Sequence, residues 1–228
     1  NKEILKFNNH NKKIFSIIKN YQLQKLLIRS LKNNKFVKFK TNSDNFDLLK
    51  KKYCLIIDCD PNHQITRKFF YNKIEKNYNS YAYTTVIHHK KIIDNNTAFQ
   101  NFTNNGPIAF LPISETKTSV VYSLRAKNTN HNFDLNNLIK KYNPIYSIKK
   151  INSYSYFELK SSNVRKYHNE NILAFGDLLH KIHPLAGQGF NMSLRDIKLL
   201  SNLIDNKINL GLSLDSSLCQ EFQKISQD

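Results

Sequence analysis

Glycine is scarce in this 228-residue chain, with five in all. They form no strand–Gly-x-Gly-x-x-Gly–helix run, the backbone cradle for a dinucleotide pyrophosphate. Cysteine is scarcer still: Cys54, Cys59 and Cys219. So small and odd a set excludes a disulfide framework and fits a reducing compartment. The Cys54–Cys59 spacing lacks the partner ligands of a metal site. No apolar run approaches the roughly 20 residues that cross a bilayer, and no signal peptide is visible. The expected location is therefore cytoplasmic. Acidic residues are also few, 17 against 35 Lys and Arg, for a net charge of +18. The lysines are scattered and accompany abundant Asn and Ile, the residue trio that an AT-rich genome encodes by default. Without a basic stripe on one element, a nucleic-acid partner is not expected. A basic surface does suit peripheral contact with an anionic membrane, on its inner face.

What the chain does contain is concentrated between Asn171 and Ile204. The apolar run Ile172, Leu173, Ala174 and Phe175 stops at Gly176, as a buried α/β strand should. Asp177 then sits at the strand's carboxyl end, the ligand side of such sheets. A loop follows with Pro184, Gly187 and Gly189, whose missing Cβ atoms allow close backbone approach. A helix is expected from about Asn191, with Leu194, Ile197, Leu200, Leu203 and Ile204 on one face. Its free N-terminal N–H groups favour a partial negative charge in front of Gly189.

The pattern Gly176-Asp177…His180…His183-Pro184…Gly187-Gln188-Gly189…Asn191…Arg195-Asp196 resembles the second flavin-contacting motif of the FAD-dependent aromatic hydroxylases. The likeness is closest to the ubiquinone-biosynthesis members of that p-hydroxybenzoate hydroxylase-like family. Leu178, Leu179 and Ser193 stand where the family has small residues or Gly. Upstream, Tyr53 to Pro61 with Arg67 resembles the family's Ala-Asp-Gly segment and its distant Arg. Asp60 matches the Asp and Cys59 the Ala, but Pro61 replaces the Gly and Asp58 another small residue. Proline has a fixed φ and no N–H, so this departure is the serious one. The likeness covers nearly the whole chain and is specific only at 176–196. Since the family opens on the Gly-x-Gly-x-x-Gly unit that is missing here, the chain is expected to be an internal fragment.

The resemblance implies an α/β (α+β) flavoprotein in three stretches: residues 1–70 trail from a Rossmann-like FAD domain, 71–165 form an antiparallel-sheet substrate domain, and 166–228 return to the FAD domain. Helices are expected near 17–31, 135–142 and 215–228, and strands near 36–40, 53–57, 78–88, 97–102, 107–112, 118–125 and 154–159. Pro107 and Pro112 fit either a pocket wall or an edge strand.

By the same resemblance Asp177 binds the ribityl chain of FAD. Gly187, Gln188, Gly189, Phe190 and Asn191 turn toward the pyrimidine end of the flavin. Pro184 lies at the ring junction, Asp60 near the pyrophosphate, and Arg67 is either a cofactor-side contact or a solvated charge. No catalytic acid or base is fixed by the motif. The implied reaction is hydroxylation of the aromatic ring of a polyprenylated phenol in ubiquinone biosynthesis through a flavin hydroperoxide, with NAD(P)H as electron donor. A lipid-soluble aromatic substrate and a ubiquinone-biosynthesis complex are the implied partners. The alternative is a non-catalytic remnant or accessory protein that binds no flavin, to which Pro61 and the absent glycine fingerprint point. Plainer roles exist too: Asp177 as a turn cap, Asn191 as a helix N-cap, Arg195 and Asp196 as a helix-surface pair.

Overall fold

The computed structural model describes Phe7 and residues 14–40, 46–125, 134–182 and 188–227. The chain divides into two compact units, one of residues 1–39 and 81–157, the other of 40–80 and 158–228. The divisions at 80 and 157 fall within two long strands, β2 (Lys73–His89) and β7 (Ser155–Val164).

The first unit is built on antiparallel hairpins. β3 (Phe99–Thr103), β4 (Gly106–Ser114) and β5 (Lys117–Arg125) pair in sequence order, and β6 (Ile148–Ile151) pairs with the end of β2. β5 alternates strictly, with Thr118, Val120, Tyr122 and Leu124 buried and their neighbours not. This is the period-two signature of a sheet with one covered face. Helix α4 (Leu135–Tyr142) supplies Leu135 and Ile139, one turn apart, to the same core as Phe110, Tyr122 and Tyr146. Asp134 caps it by accepting the Asn137 N–H at 3.1 Å, and Asn143 stops it by bonding both backbone groups of Tyr146 around Pro144. Pro107 and Pro112 lie on β4, which is flanked by β3 and β5, so neither marks an edge strand. Pro112 lies past the last β3–β4 pair, Phe99 with Phe110.

Gly106 opens β4 at φ +135°, and a Cβ there would stand 2.0 Å from the carbonyl oxygen of Ser123 on β5. Both the backbone angle and the space require glycine. Gly106→Ala should therefore destabilise the protein by about 3 kcal/mol and lower its melting temperature by roughly 5–10 °C. A thermal melt within 1 °C of the parent would refute this.

Helix α1 (Asn20–Lys32) forms close to where the leucine spacing predicts, yet none of its residues is buried. The strand expected over 36–40 is absent. Asn34 instead turns the chain, accepting the Phe36 N–H on its side chain and the Val37 N–H on its carbonyl, and Phe36 is left 84% exposed. The alternation of Lys and Phe had the right period, but no neighbouring strand satisfies its backbone among the described residues.

The second unit contains α2 (Phe46–Lys52), β1 (Ile56–Asp58), α3 (Gln64–Phe69), β8 (His168–Asn169), β9 (Ile172–Ala174), a 3₁₀ turn (Gly176–Leu178), β10 (His180–Lys181), α5 (Gln188–Asn209) and α6 (Ser216–Gln227). β1 and β9 pair in parallel, Ile56 beside Ile172 and Asp58 beside Ala174, and β8 closes onto β9 antiparallel. Ile172 to Phe175 are all buried in a core shared with Leu200 and Leu203 of α5 and Leu218, Cys219 and Phe222 of α6. The fully apolar strand is thus explained: it has cover on both faces.

Candidate functional site

The parallel pairing of β1 and β9 sets two polar chain turns side by side at one edge of the sheet. Phe175 donates its N–H to the Asp58 carbonyl oxygen at 2.9 Å, the last bond before the two chains leave the sheet. From there the β9 chain enters the turn holding Gly176 and exposed Asp177, and the β1 chain passes through Cys59 to exposed Asp60. Gly176 has φ +61°, and among the described residues nothing stands within 4 Å of where a Cβ would be, so its requirement is conformational.

Asp58 anchors the β1 side. It is 6% exposed, its Oδ1 accepts the Asp60 N–H at 3.2 Å, and its Oδ2 lies 2.7 Å from Thr66 Oγ1. Thr66 Oγ1 also lies 2.7 Å from the Asp60 carbonyl oxygen, and its single proton serves one of these acceptors at a time. The next turn accommodates Pro61. The Asp60 carbonyl accepts the His63 N–H at 3.1 Å and Asp60 Oδ1 accepts the Asn62 N–H at 2.8 Å, which places Pro61 second in a four-residue turn. That position favours the φ of proline, and neither turn bond uses the N–H that proline lacks. His63 then caps α3, its Nδ1 accepting the Ile65 N–H at 3.3 Å, and Arg67 emerges exposed from the last turn of that helix. Cys59 sits between the two chain turns: burial pushes its thiol up, and the carboxylates of Asp58 and then Asp177 push it further. It is held as a neutral thiol, not a nucleophile.

Helix α5 begins at Gln188, earlier than the sequence suggests, so Asn191 lies inside the first turn rather than at the cap. Phe190 is 54% exposed, Gln188 and Asn191 are also exposed, and Gly189 is half-buried. Among the described residues, a Cβ at Gly189 would meet Ile182 Cγ1 at an ordinary 3.8 Å. His183, Pro184 and Gly187 lie outside the described residues.

Asp196 is not half of a surface pair with Arg195. Arg195 is exposed, whereas the Asp196 side chain is 13% exposed and its Oδ2 stands 3.9 Å from Nε2 of His180, itself 11% exposed. Burial pushes the His180 pKa down, with Asp196 pulling it back, and burial pushes Asp196 up, with His180 opposing. A histidine that protonates less readily when folded works against the fold as pH falls through the ordinary histidine range. A carboxyl with a raised pKa works against it as pH rises from the ordinary Asp range through its folded value. The sequence singles out Asp58 only as a departure from a small residue of the family, and does not single out Thr66 or His63. The one available signal was an acidic residue closing the apolar run Leu55-Ile56-Ile57.

The family model described as an FAD binding domain matches residues 56–209, which contain both chain turns and the whole of α5. The chain belongs to the FAD-binding domain family. Among curated proteins it is similar to the ubiquinone biosynthesis monooxygenase COQ6, mitochondrial, of Xenopus tropicalis, 25% identical over 204 residues, covering 72% of this chain and 44% of that protein. It is likewise similar to COQ6 of Rattus norvegicus, 27% identical over 180 residues, 61% of this chain and 38% of that protein. The chain spans less than half the length of these relatives. Among solved structures, pqsL of Pseudomonas aeruginosa superposes with TM-score 0.63 at 14% identity, over 90% of this chain and 64% of its own. The flavin-dependent halogenase CmlS gives 0.58 at 13% identity, over 76% and 34%. These structures establish the fold, that of the p-hydroxybenzoate hydroxylase-like flavoproteins with its antiparallel sheet, as the motif implied.

The residues present suit FAD in kind. Two exposed carboxylates at the sheet edge are acceptors for sugar-type hydroxyls, and an exposed guanidinium suits a phosphate. The N-terminal end of α5, with its positive dipole end, suits a carbonyl or anionic ring edge.

Proposed function

We propose that this chain supplies the flavin-facing and substrate-side framework of an FAD-dependent monooxygenase that hydroxylates the aromatic ring of a polyprenylated phenol in ubiquinone biosynthesis. The observation that carries the reading is the placement of Asp177 beside the Asp58–Asp60 turn, on adjacent parallel strands, at the carboxyl edge of the sheet. The likeness to COQ6 proteins supplies the pathway.

In this reading Asp177 accepts hydrogen bonds from the ribityl hydroxyls, Asp60 and Arg67 hold the pyrophosphate side, and the N–H groups of Gly189, Phe190 and Asn191 meet the pyrimidine edge of the flavin. Pro184, Gly187 and Gln188 complete the approach to the ring. FAD, when bound and reduced by NAD(P)H, supplies the oxygen activation. The chain's contribution is to orient the ring and keep water from it. Residues of the second unit serve the cofactor, and the antiparallel sheet of the first serves the substrate. Among the described residues no helix is long and apolar enough to cross a membrane. A lipid-soluble substrate is reached instead by peripheral contact of the basic surface with an anionic membrane, in a ubiquinone-biosynthesis complex. Such contact depends on salt, because it is electrostatic.

The test is FAD titration of the intact protein, followed by an assay for oxygen incorporation into a prenylated phenol with NAD(P)H. Micromolar or tighter FAD binding with ring hydroxylation is the expected result. A protein that folds but leaves FAD free would mean the non-catalytic alternative.

A further inference from the structure

Helix α5 packs with Leu200 and Leu203 buried at 5% and 6% exposure. Gly189, Asp196 and Leu203 follow at steps of seven and lie on one helix face, with Ser193 and Leu200 beside them. A carboxylate in the middle of a buried stripe is expensive where an apolar side chain would serve. Its counterpart is His180 on β10, two residues past the turn that carries Asp177. Asp196 Oδ2 has no hydrogen-bond partner among the described residues, so its one attraction there is this imidazole at 3.9 Å. His180 also meets the Tyr167 ring edge to face, with centroids 5.5 Å apart and planes 85° apart. Tyr167 is fixed by its own backbone: its N–H donates to Gln223 Oε1 at 2.9 Å and its carbonyl accepts the Ala174 N–H at 2.7 Å. A continuous set of contacts thus runs from β9 through Tyr167 and His180 to α5.

We infer that His180 and Asp196 are positioning residues that set the rotation of α5 against the Gly176–Leu178 turn, and so fix the first-turn N–H groups of Gly189, Phe190 and Asn191 relative to Asp177. Apolar packing alone leaves a helix free to turn by a fraction of a residue, whereas a polar contact across the seam selects one setting. Helix α5 lies against β10 and the Gly176–Leu178 turn, and as one rigid rod it carries that setting to its first turn. The inference rests on the flavin reading above. Among the described residues, Tyr167 is the other titratable group facing the pair. His168 lies on β8, whereas Lys181 on β10, Arg195 and Lys198 on α5, and Glu221 and Lys224 on α6 are exposed.

Two measurements test it. In the cofactor-free protein, the His180 ring is titrated by NMR in the parent and in Asp196→Asn. Without the carboxylate the ring should titrate at lower pH; an unchanged titration means the pair does not exist and overturns the inference. In the second, FAD affinity and melting temperature are compared across substitutions. Asp196→Leu should bind FAD about tenfold more weakly with a melting temperature equal to or above the parent's. Asp196→Asn, which still offers an acceptor to His180, should stay within about threefold. Equal FAD affinity in Asp196→Leu and the parent overturns the positioning role while leaving the flavin reading intact. A parent that binds no FAD defeats the flavin reading instead, and the His180 titration still decides whether the pair exists.

Discussion

Asp177→Ala should weaken FAD binding by about 10- to 100-fold and leave the thermal melt almost unmoved. The first half follows from the chemistry of the contact proposed for it. A carboxylate accepting hydrogen bonds from hydroxyls contributes about 1.5–3 kcal/mol, and each 1.4 kcal/mol is a factor of ten in affinity. The second half follows from its position. Asp177 is exposed, and removing an exposed side chain away from core and caps changes stability by about 0.5 kcal/mol or less. Were Asp177 only a turn cap, the order would reverse, with a lower melting temperature and unchanged FAD affinity. A second readout needs no cofactor. The Asp177 carboxylate helps to hold the Cys59 thiol up, so its loss should let that thiol ionise more readily. Faster alkylation of Cys59 in Asp177→Ala, measured with Cys54 replaced by Ser, is expected. An unchanged rate would mean that the two residues are farther apart than the fold places them.

The legibility of this chain followed the strength of local signals. β5 could be read because every second residue from Thr118 to Leu124 is buried, and α4 because an Asp cap and an Asn-Pro stop enclose it. The Gly-Asp turn after an apolar run was also visible, since a strand covered on both faces cannot carry the alternation of an exposed one. The start of α5 was misread because Gly189 and Asn191 are poor helix interior residues by propensity. In the structure the helix nevertheless includes them, with Ser193 Oγ 3.4 Å from the Gly189 carbonyl. Propensity is a preference of only about 1 kcal/mol at such residues. Asp196 was misplaced for a related reason: its charge argues for solvent, and nothing in sequence shows that His180 waits across the seam. Pro61 was read as an obstacle because the sequence does not show that the Asp60 carbonyl and the His63 N–H close a turn that suits it. β8 and β10, two residues each, are too short to carry a period at all.

Phe222→Ala should be the most destabilising single change in the second unit, and it bears on the site through β9. Phe222 is fully buried on α6, on the face that also buries Leu218 and Cys219, and that helix lies against β8 and β9. Its ring packs on Phe175 with centroids 5.6 Å apart and planes 38° apart. Phe175 is the residue whose N–H ties β9 to the Asp58 carbonyl and whose successor opens the Asp177 turn. Truncating a buried phenylalanine removes its transfer free energy and leaves a cavity, together about 3–5 kcal/mol. For a protein of this size that corresponds to a melting temperature lower by roughly 6–20 °C. Phe222→Leu fills most of the space and should cost about 1.5 kcal/mol or less. The functional consequence is separable from unfolding. Measured at 10 °C, where the variant remains folded, FAD affinity should still fall several-fold, because Phe175 can relax into the cavity and take the Asp177 turn with it. If instead the alanine variant melts with the parent, α6 is not docked on β9, and the support proposed for the turn lies elsewhere. If it melts early but binds FAD as tightly as the parent when cold, Phe222 is a core residue alone, and the β1–β9 pairing is enough to hold the turn.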